Sequence, residues 1–328
     1  MKNLVFKDMH SLVEAVRNNG EMFPEHMDRG KALKKVAAYY DGVYKVRRFT
    51  GKMRLLKTLA VKIPAVRKKI AYKAAMDIME IYPQSRCDAY IKDFKEDISA
   101  NGDNYIKAYE LLDGDSKVEY LDLLLARLTG DFAYILPHSR TSRQYFSNKI
   151  KWKKHPNVVD CGAFIGDTFL SFYSMGIIPS HYFLYELDDA NYKKLLVNTR
   201  DKSSRVHPRK KGVYSENTIF YYEAREDSSR LVSYETENKV EVVTIDSDVS
   251  VAPDFIKMDI EGGEVQALIG GSNTIKKYHP TLAVCIYHLK DDFWKIPLLI
   301  HEICPDYNHY WIEHYSPGYN ETVLFVSL

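Results

Sequence analysis

The sequence predicts an α/β protein, with a helical N-terminal domain followed by a mostly parallel β-sheet that has helices on both faces. Residues 1–130 contain few glycines, and their apolar residues recur every three or four positions, the period of amphipathic helices. From residue 157 onward, short apolar runs alternate with amphipathic segments, as in successive βα units of a parallel sheet. The last two apolar runs have no helical segment between them, so we expect an antiparallel C-terminal hairpin at the sheet edge.

The helical region ends with a leucine-rich helix that Gly130 terminates. A polar segment containing Pro137 follows, and we interpret it as the connection between a domain at residues 1–145 and a second at 146–328. Strands are predicted at Val158–Cys161, His181–Glu186, Arg205–His207, Asp254–Asp259, Thr281–Tyr287, His309–Glu313 and Thr322–Val326. Helices are predicted at Thr168–Met175, Asp189–Asn198, Gly263–Ile269 and Asp291–Ile303. Two further strand-like runs, Thr218–Glu223 and Val240–Ile245, are expected to decorate the sheet edge.

Composition and charge narrow the class of protein. The 328 residues are 45% hydrophobic and 27% charged, as in ordinary globular proteins, and the formal net charge of +2 gives no overall signature of a nucleic-acid partner. The N-terminus lacks the apolar core and cleavage site of a signal peptide, and no apolar run approaches the roughly 20 residues of a spanning helix. The four cysteines show no CxxC spacing, which favours a reducing compartment. We therefore expect a cytoplasmic protein.

One segment departs from this balance. Residues 31–73 contain fourteen Lys or Arg and one acid, Asp41. Such a run is often a solvated basic helix face. It could also attract an anionic acceptor, or make peripheral contact with an anionic membrane.

The segment from Val158 to Thr168 reads as a buried strand, a tight glycine turn and the start of a helix, the layout of a nucleotide-cofactor loop. Asp160 stands at the end of the strand, where a dinucleotide-binding loop has glycine. A carboxylate there would repel phosphate and attract a cation. S-adenosylmethionine is a nucleoside with an ammonium and a sulfonium group and no phosphate, so the loop predicts this methyl donor. An NAD-linked oxidoreductase is the alternative that Asp160 disfavours. The predicted donor contacts in the loop are Asp160, Gly162, Ala163, Phe164, Gly166, Asp167 and Thr168.

A second feature supports a nucleoside ligand. Twenty residues after Gly166, the next predicted strand ends at Glu186. A carboxylate at the end of the adjacent strand accepts hydrogen bonds from both ribose hydroxyls, and Leu187 would then pack on the adenine. We expect Asp167 and Thr168 to cap the free amides of the helix that follows the loop.

A third group of polar residues follows two later strands. The strand at Asp254–Asp259 ends in Asp259 and Glu261, which precede two glycines, and the strand at Thr281–Tyr287 is followed by His288. Ligands bind beyond the carboxyl ends of the strands in an open parallel sheet, so these side chains should share one crevice with Asp160 and Glu186.

These blocks resemble the FkbM family of S-adenosylmethionine-dependent methyltransferases over about residues 157–328. The resemblance rests on VVDCGAFIGDT, YELD, IKMDIEGGEVQALIGG and the strand led by Pro280, and the block containing Asp259 and Glu261 is the most distinctive. It implies a Rossmann-like class I methyltransferase core, and family members commonly O-methylate sugars or secondary metabolites. It also implies adenine contacts near Tyr214 and Ser215. Residues 1–130 resemble nothing comparable.

The predicted acceptor side consists of Asp259, Glu261 and His288. An alcohol acceptor must lose a proton during methyl transfer; His288 is the best base by its ordinary pKa of about 6.5, and Asp259 is the best-placed carboxylate. Glu261 would orient the acceptor or act as base; alternatively, it caps the next helix. The alternative for His288 is a structural role without part in the reaction. No metal site is predicted, although Asp259 and Glu261 could hold Mg²⁺.

The sequence thus predicts an enzyme that methylates a sugar hydroxyl of a glycan, a sugar nucleotide or a lipid-linked precursor. The alternatives are methylation of a small secondary metabolite and a non-catalytic nucleoside-binding protein with the same fold. Nucleic acid is not an expected partner, and a homo-oligomer is left open.

Overall fold

A computed structural model describes residues 6–18, 20–46, 62–200, 205–223 and 229–328. The described residues form a helical region followed by a mixed α/β region, as predicted. Part of the basic segment at 31–73, including Arg47 and Arg48, lies outside them.

The described part of the helical region contains five α-helices: α1 (Met9–Asn18), α2 (Arg29–Val46), α3 (Pro64–Ile81), α4 (Gln84–Leu111) and α5 (Gly114–Thr129). Pro64 stands at the first position of α3, where its missing N–H has no helical partner to lose. Gly130 follows α5 with a φ of +65°, the conformation that commonly ends a helix. The apolar spacing of the sequence therefore correctly predicts this region as helical.

The central sheet has seven strands in the order β10-β11-β9-β8-β1-β2-β3. Its strands are β1 (Asn157–Cys161), β2 (His181–Tyr185), β3 (Val206–Arg209), β8 (Phe255–Met258), β9 (Thr281–Cys285), β10 (His309–His314) and β11 (Thr322–Ser327). The pairs β8–β9, β1–β8, β1–β2 and β2–β3 are parallel, whereas β11 runs antiparallel to β9. The fold class is thus confirmed: the sheet is mostly parallel, and β10 and β11 lie at one edge.

Helices connect the strands of this sheet. They are α6 (Asp167–Ser174), α7 (Asp189–Thr199), α8 (Ile245–Asp248), α9 (Glu264–Gly270), α10 (Ser272–Tyr278) and α11 (Asp292–Ile303). Strand β1 is buried from Val158 to Cys161, and β8 is buried along its whole length. Burial on both faces explains why these strands appear in the sequence as continuous apolar runs rather than alternating ones.

A second sheet corrects one expectation. The runs predicted as edge decorations form β5 (Thr218–Glu223) and β7 (Lys239–Val243) of a separate four-stranded sheet, ordered β4-β7-β5-β6. Its short strands are β4 (Gly212–Val213) and β6 (Arg230–Val232). Tyr222, Val240 and Val242 form its own small apolar core. The insertion therefore buries apolar surface of its own instead of extending the central sheet.

The chain divides into two compact units. The first comprises Met1–Ile106, Lys117–Arg140 and His314–Asn320, and the second comprises Lys107–Ser116, Thr141–Glu313 and Glu321–Leu328. The domain boundary after residue 145 stays a prediction. Among the described residues, no helix combines the length and apolar character needed to cross a bilayer.

Candidate active site

A cavity of about 460 Å³ opens at the carboxyl ends of β1, β2 and β8, and all of its lining residues belong to the second unit. Predicted site residues that line it are Gly162, Phe164, Asp167, Thr168, Glu186, Leu187, Tyr214, Asp259 and Glu261. Predicted residues outside the lining are Asp160, Ala163, Gly166, Ser215 and His288. The loop after β1 and the segments that follow β2 and β8 therefore meet at one place, as the parallel topology requires.

The predicted role of Asp160 as an exposed charge needs correction. Its side chain is fully buried, and its carboxylate accepts hydrogen bonds from Lys257 Nζ at 2.9 Å and from the Tyr182 hydroxyl at 3.0 Å. Asp160 and Lys257 are register partners on the adjacent strands β1 and β8. Burial opposes the charge on Lys257, but Asp160 and Asp259 raise the pKa of its ammonium above the ordinary value. Asp160 is thus half of an internal ion pair and presents no free charge to a ligand.

The same lysine holds the glycine turn. Lys257 Nζ also donates to the Gly162 carbonyl at 2.7 Å. Gly162 has a φ of +81°, and a Cβ there would lie 1.8 Å from the Asp259 carbonyl oxygen. The turn between β1 and α6 therefore has room only for glycine, because the end of β8 passes directly behind it.

The helix after the turn starts as predicted but is capped differently. Asp167 is the first residue of α6, and the N-cap is Gly166, which has a φ of +82° and no side chain to accept a hydrogen bond. The expected capping by Asp167 and Thr168 is therefore wrong. Both side chains line the cavity instead.

Glu186 lies at the cavity wall with both carboxylate oxygens engaged by backbone. One oxygen accepts the Phe164 N–H at 2.8 Å, and the other accepts the Asp188 N–H at 2.8 Å. Burial raises the pKa of Glu186 to about 7, against the lowering effect of these two hydrogen bonds. Each carboxylate oxygen has a further lone pair, so Glu186 retains the capacity to accept two hydroxyl donors.

The wall beside Glu186 is apolar and aromatic. Leu187 and Tyr214 lie here with Phe220 and Leu231 of the second sheet. The rings of Tyr214 and Phe220 are 4.6 Å apart between centroids. A cavity that places a carboxylate next to an apolar aromatic wall fits a nucleoside, whose sugar is a hydrogen-bond donor and whose base is a flat apolar surface.

The opposite end of the cavity is acidic. Asp259 accepts a hydrogen bond from the Tyr145 hydroxyl at 2.6 Å and a longer one from the Tyr287 hydroxyl at 3.4 Å. Burial opposes ionisation of Asp259, but Lys257, His288 and Tyr145 together bring the pKa of its carboxyl below the ordinary value. Asp259 is therefore ionised and fixed in position.

His288, the base that the sequence predicts, lies outside the cavity lining and beside three carboxylates. Its Nδ1 lies 2.9 Å from Glu264 Oε1, and its Nε2 lies 3.4 Å from Asp259 Oδ1 and 3.8 Å from Glu261 Oε2. Burial would lower the pKa of the imidazole, but these three carboxylates raise it to about 10. The three carboxylates therefore favour the imidazolium form of His288 over the neutral base. Asp259, Glu264 and His288 also offer ligand atoms within 4.8 Å of one another, so the metal alternative stays a prediction.

Glu261 lines the cavity. The N-cap of α9 is Gly263, which has no side chain to accept a hydrogen bond. Glu264 stabilises this turn, because its carboxylate accepts the N–H groups of Ile260 at 2.8 Å and Gly262 at 3.0 Å.

Backbone strain is concentrated at the cavity. Five non-glycine residues among those described have positive φ, and four of them line the cavity: Tyr145, Phe164, Glu261 and Glu321. Such conformations cost on the order of 1–3 kcal/mol each and persist where the surrounding structure enforces them, which is common at functional sites.

Sequence reasoning missed several lining residues. They are Gln144, Tyr145, Lys257, Tyr287 and Glu321. Lys257 had a readable signal, because a lysine inside an otherwise apolar strand requires a buried partner. Tyr145 and Glu321 have no comparable signal in the sequence, since they reach the cavity from segments far away in the chain.

Glu321 adds a further carboxyl group to the cavity wall. Burial and the charge of Asp259 raise the pKa of this carboxyl.

Comparisons with known proteins identify a family for this chain. Residues 145–314 match the model of the methyltransferase FkbM domain. The crystal structure of methyltransferase FkbM from Methylobacillus flagellatus KT is similar over 85% of this chain and 72% of its own, with 25% identity and a TM-score of 0.63. Fibrillarin from Aeropyrum pernix, bound to S-adenosyl-L-methionine, covers 56% of this chain and 70% of its own, with 12% identity and a TM-score of 0.36. No curated protein sequence matches the chain significantly.

The family match covers more than half of the chain, and the cavity has the carboxylate, the apolar wall and the glycine turn that a nucleoside cofactor needs. When bound, S-adenosylmethionine supplies an electrophilic methyl group. The protein belongs to the FkbM methyltransferase family and is an S-adenosylmethionine-dependent methyltransferase.

Proposed function

We propose that this enzyme transfers the methyl group to a hydroxyl of a sugar, in a glycan or a glycan precursor. The supporting observation is the acidic end of the cavity. Its polar groups, Gln144, Tyr145, Asp259, Glu261, Tyr287 and Glu321, are all hydrogen-bonding side chains. An acceptor with several hydroxyl groups matches such a wall, and the tyrosine rings suit the flat faces of a sugar.

The donor would occupy the other half of the cavity. In this proposal the Glu186 carboxylate accepts the ribose hydroxyls, while the adenine packs on Leu187, Tyr214 and Phe220. The ammonium and sulfonium groups would then face the end of β8, where Asp259 and Glu261 supply negative charge. In this proposal Asp259 and Glu261, rather than the buried Asp160, are the carboxylates that favour a cationic cofactor.

Methyl transfer to oxygen is an in-line displacement. The acceptor oxygen forms a bond to the methyl carbon, the carbon–sulfur bond breaks with its electron pair going to sulfur, and the hydroxyl proton passes to a base. The carboxylates around His288 favour its protonated form, and Asp259 already accepts hydrogen bonds from the Tyr145 and Tyr287 hydroxyls. Our proposal therefore takes Glu261, which lines the cavity, as the proton acceptor and Asp259 as the residue that orients the acceptor.

The test is methyl transfer by the purified full chain to a panel of sugar nucleotides and alkyl glycosides, followed by mass spectrometry of the product. Glu261→Gln should reduce kcat on an active sugar about 100-fold, the effect of losing general base catalysis, and should weaken S-adenosylhomocysteine binding by a smaller factor. Glu237→Gln, an exposed position outside the cavity, is the matched control.

Two results would refute the proposal. One is a methyl group found only on a small molecule that is not a sugar, which would favour the secondary-metabolite alternative. The other is donor binding with unchanged turnover in Glu261→Gln, which would remove Glu261 from the chemistry.

A further inference from the structure

Helix α3 presents a surface that the methyltransferase site does not use. It belongs to the first compact unit, and its packed side consists of Ala71, Ala75 and Met79, all buried. Arg67 lies toward that packed side, where its Nε donates to Asp41 of α2 at 2.8 Å. The inner face of α3 therefore packs within the helical region, and among the described residues the side chains on its other face are exposed.

The open face of α3 is both cationic and apolar. At 100° per residue, Lys69 and Lys73 lie in one line along α3, Lys62 lies just before the first residue of the helix, and all three lysines are exposed. Val66 and Ile70 lie on one side of this line, and Tyr72 and Met76 lie on the other. The exposed fractions of these four side chains run from 37% for Val66 and Ile70 to 51% for Tyr72. We call these seven residues the α3 face.

The α3 face lies in a part of the chain without acidic residues. The sequence contains no Asp or Glu from residue 42 to residue 76. Within α3, the first acidic residue is Asp77, so no nearer acid of the same helix offsets the charge of the lysines. Large apolar side chains that remain exposed beside lysines are unfavourable in water. Both features become favourable at the surface of an anionic bilayer, where lysines meet lipid phosphates and apolar side chains enter the interface.

We propose that the α3 face docks the protein on the surface of an anionic membrane. The choice of lipid over nucleic acid rests on the side chains present. Three of its four apolar side chains, Val66, Ile70 and Met76, carry no ring and suit acyl chains, and Tyr72 is its one aromatic residue, whereas single-stranded nucleic acid is bound by stacking on several aromatic rings together with Arg. The lysines supply long-range attraction, and the aliphatic side chains supply attachment that salt does not screen. This inference is independent of the acceptor proposed above.

The experiment is co-sedimentation of the full chain with phosphatidylcholine vesicles, with and without phosphatidylserine, at low and high salt. Wild-type protein should bind the anionic vesicles, and binding should weaken as salt rises. Charge removal in Lys69→Gln/Lys73→Gln should weaken binding about 30-fold. Val66→Ser/Ile70→Ser keeps the charge and should also weaken binding, with a salt dependence similar to that of wild type. Lys276→Gln/Lys277→Gln removes two exposed lysines from α10 and is the matched control.

Folding of each variant is checked by its affinity for S-adenosylhomocysteine, which the α3 face does not contact. Equal binding to neutral and anionic vesicles, or equal loss of binding in the α10 control, would overturn the proposal. Absence of vesicle binding together with salt-sensitive binding of polyuridylate would also overturn it and assign the surface to nucleic acid.

Discussion

At the scale of single residues, the site depends on a buried ion pair rather than on an exposed acid. Asp160 and Lys257 neutralise each other inside the sheet, and Lys257 also fixes the Gly162 carbonyl. The sequence showed both residues in buried strands, but not that they are opposite each other, because the register of non-consecutive strands cannot be read from periodicity. The sequence therefore predicts that Asp160 attracts a cationic ligand, whereas in the structure Asp160 pairs with Lys257.

Removal of the buried Lys257 should lower the free energy of unfolding far more than removal of the exposed Lys153. Lys257→Met leaves Asp160 buried without compensation and should lower the free energy of unfolding by about 3–5 kcal/mol. Asp160→Asn/Lys257→Met should recover part of that loss, because the stranded charge is gone. Lys153→Met breaks an exposed contact with Asp254 and should change stability by less than about 1 kcal/mol. Urea denaturation measures all four proteins, and equal effects at both lysines would contradict the ion-pair interpretation.

At the scale of elements, the cofactor loop depends on how closely two strands approach. The periodicity of the apolar runs predicted β1, β2, β8 and β9, since each is a continuous buried run. It missed the second sheet, because β4 and β6 have only two and three residues and their pairing depends on β5 and β7. The glycines of the loop were correctly identified, but the reason for Gly162 is contact with the end of β8 rather than room for a phosphate.

A pair of glycine substitutions separates backbone conformation from that contact. Gly162 and Gly176 have similar φ values of +81° and +76°, but Gly176 has no atom within 4 Å of an added Cβ. Gly176→Ala should therefore cost about 1 kcal/mol. Gly162→Ala should cost about 3 kcal/mol, and it should also abolish S-adenosylhomocysteine binding. Thermal unfolding and calorimetry provide the two readouts, and similar losses for both variants would show that the approach of β8 has no role.

At the scale of the whole molecule, stability is coupled to pH through the acidic end of the cavity. His288 follows β9, whereas Glu264 lies on α9 and Asp259 follows β8. His288 lies far from both carboxylates in sequence, and no local pattern indicates that they meet in the fold. The sequence therefore identifies His288 but not that these carboxylates raise the pKa of its imidazole. The folded protein binds the imidazole proton more tightly than the unfolded chain does, because the pKa of about 10 exceeds the ordinary 6.5.

The sign of this coupling follows from the raised pKa. The stabilisation from His288 is complete below pH 6.5 and is lost as the pH rises through about 10. His288→Gln should therefore destabilise the protein strongly at pH 6, and the difference from wild type should shrink by an amount on the order of 4–5 kcal/mol by the alkaline end of this range. Urea denaturation at several pH values measures it, with His301→Gln at an exposed position as control. A difference that does not vary with pH would show that His288 is not protonated in the folded state.

The left-handed residues that line the cavity have a consequence for the evolution of this protein. Exchange of Glu261 or Glu321 for glycine would relax the main chain, so selection for heat resistance alone would tend to discard these glutamates. At these two positions a carboxylate at the cavity wall comes with a loss of local main-chain stability. Directed evolution toward new acceptors would then do best to begin from a background already made more thermostable elsewhere in the chain.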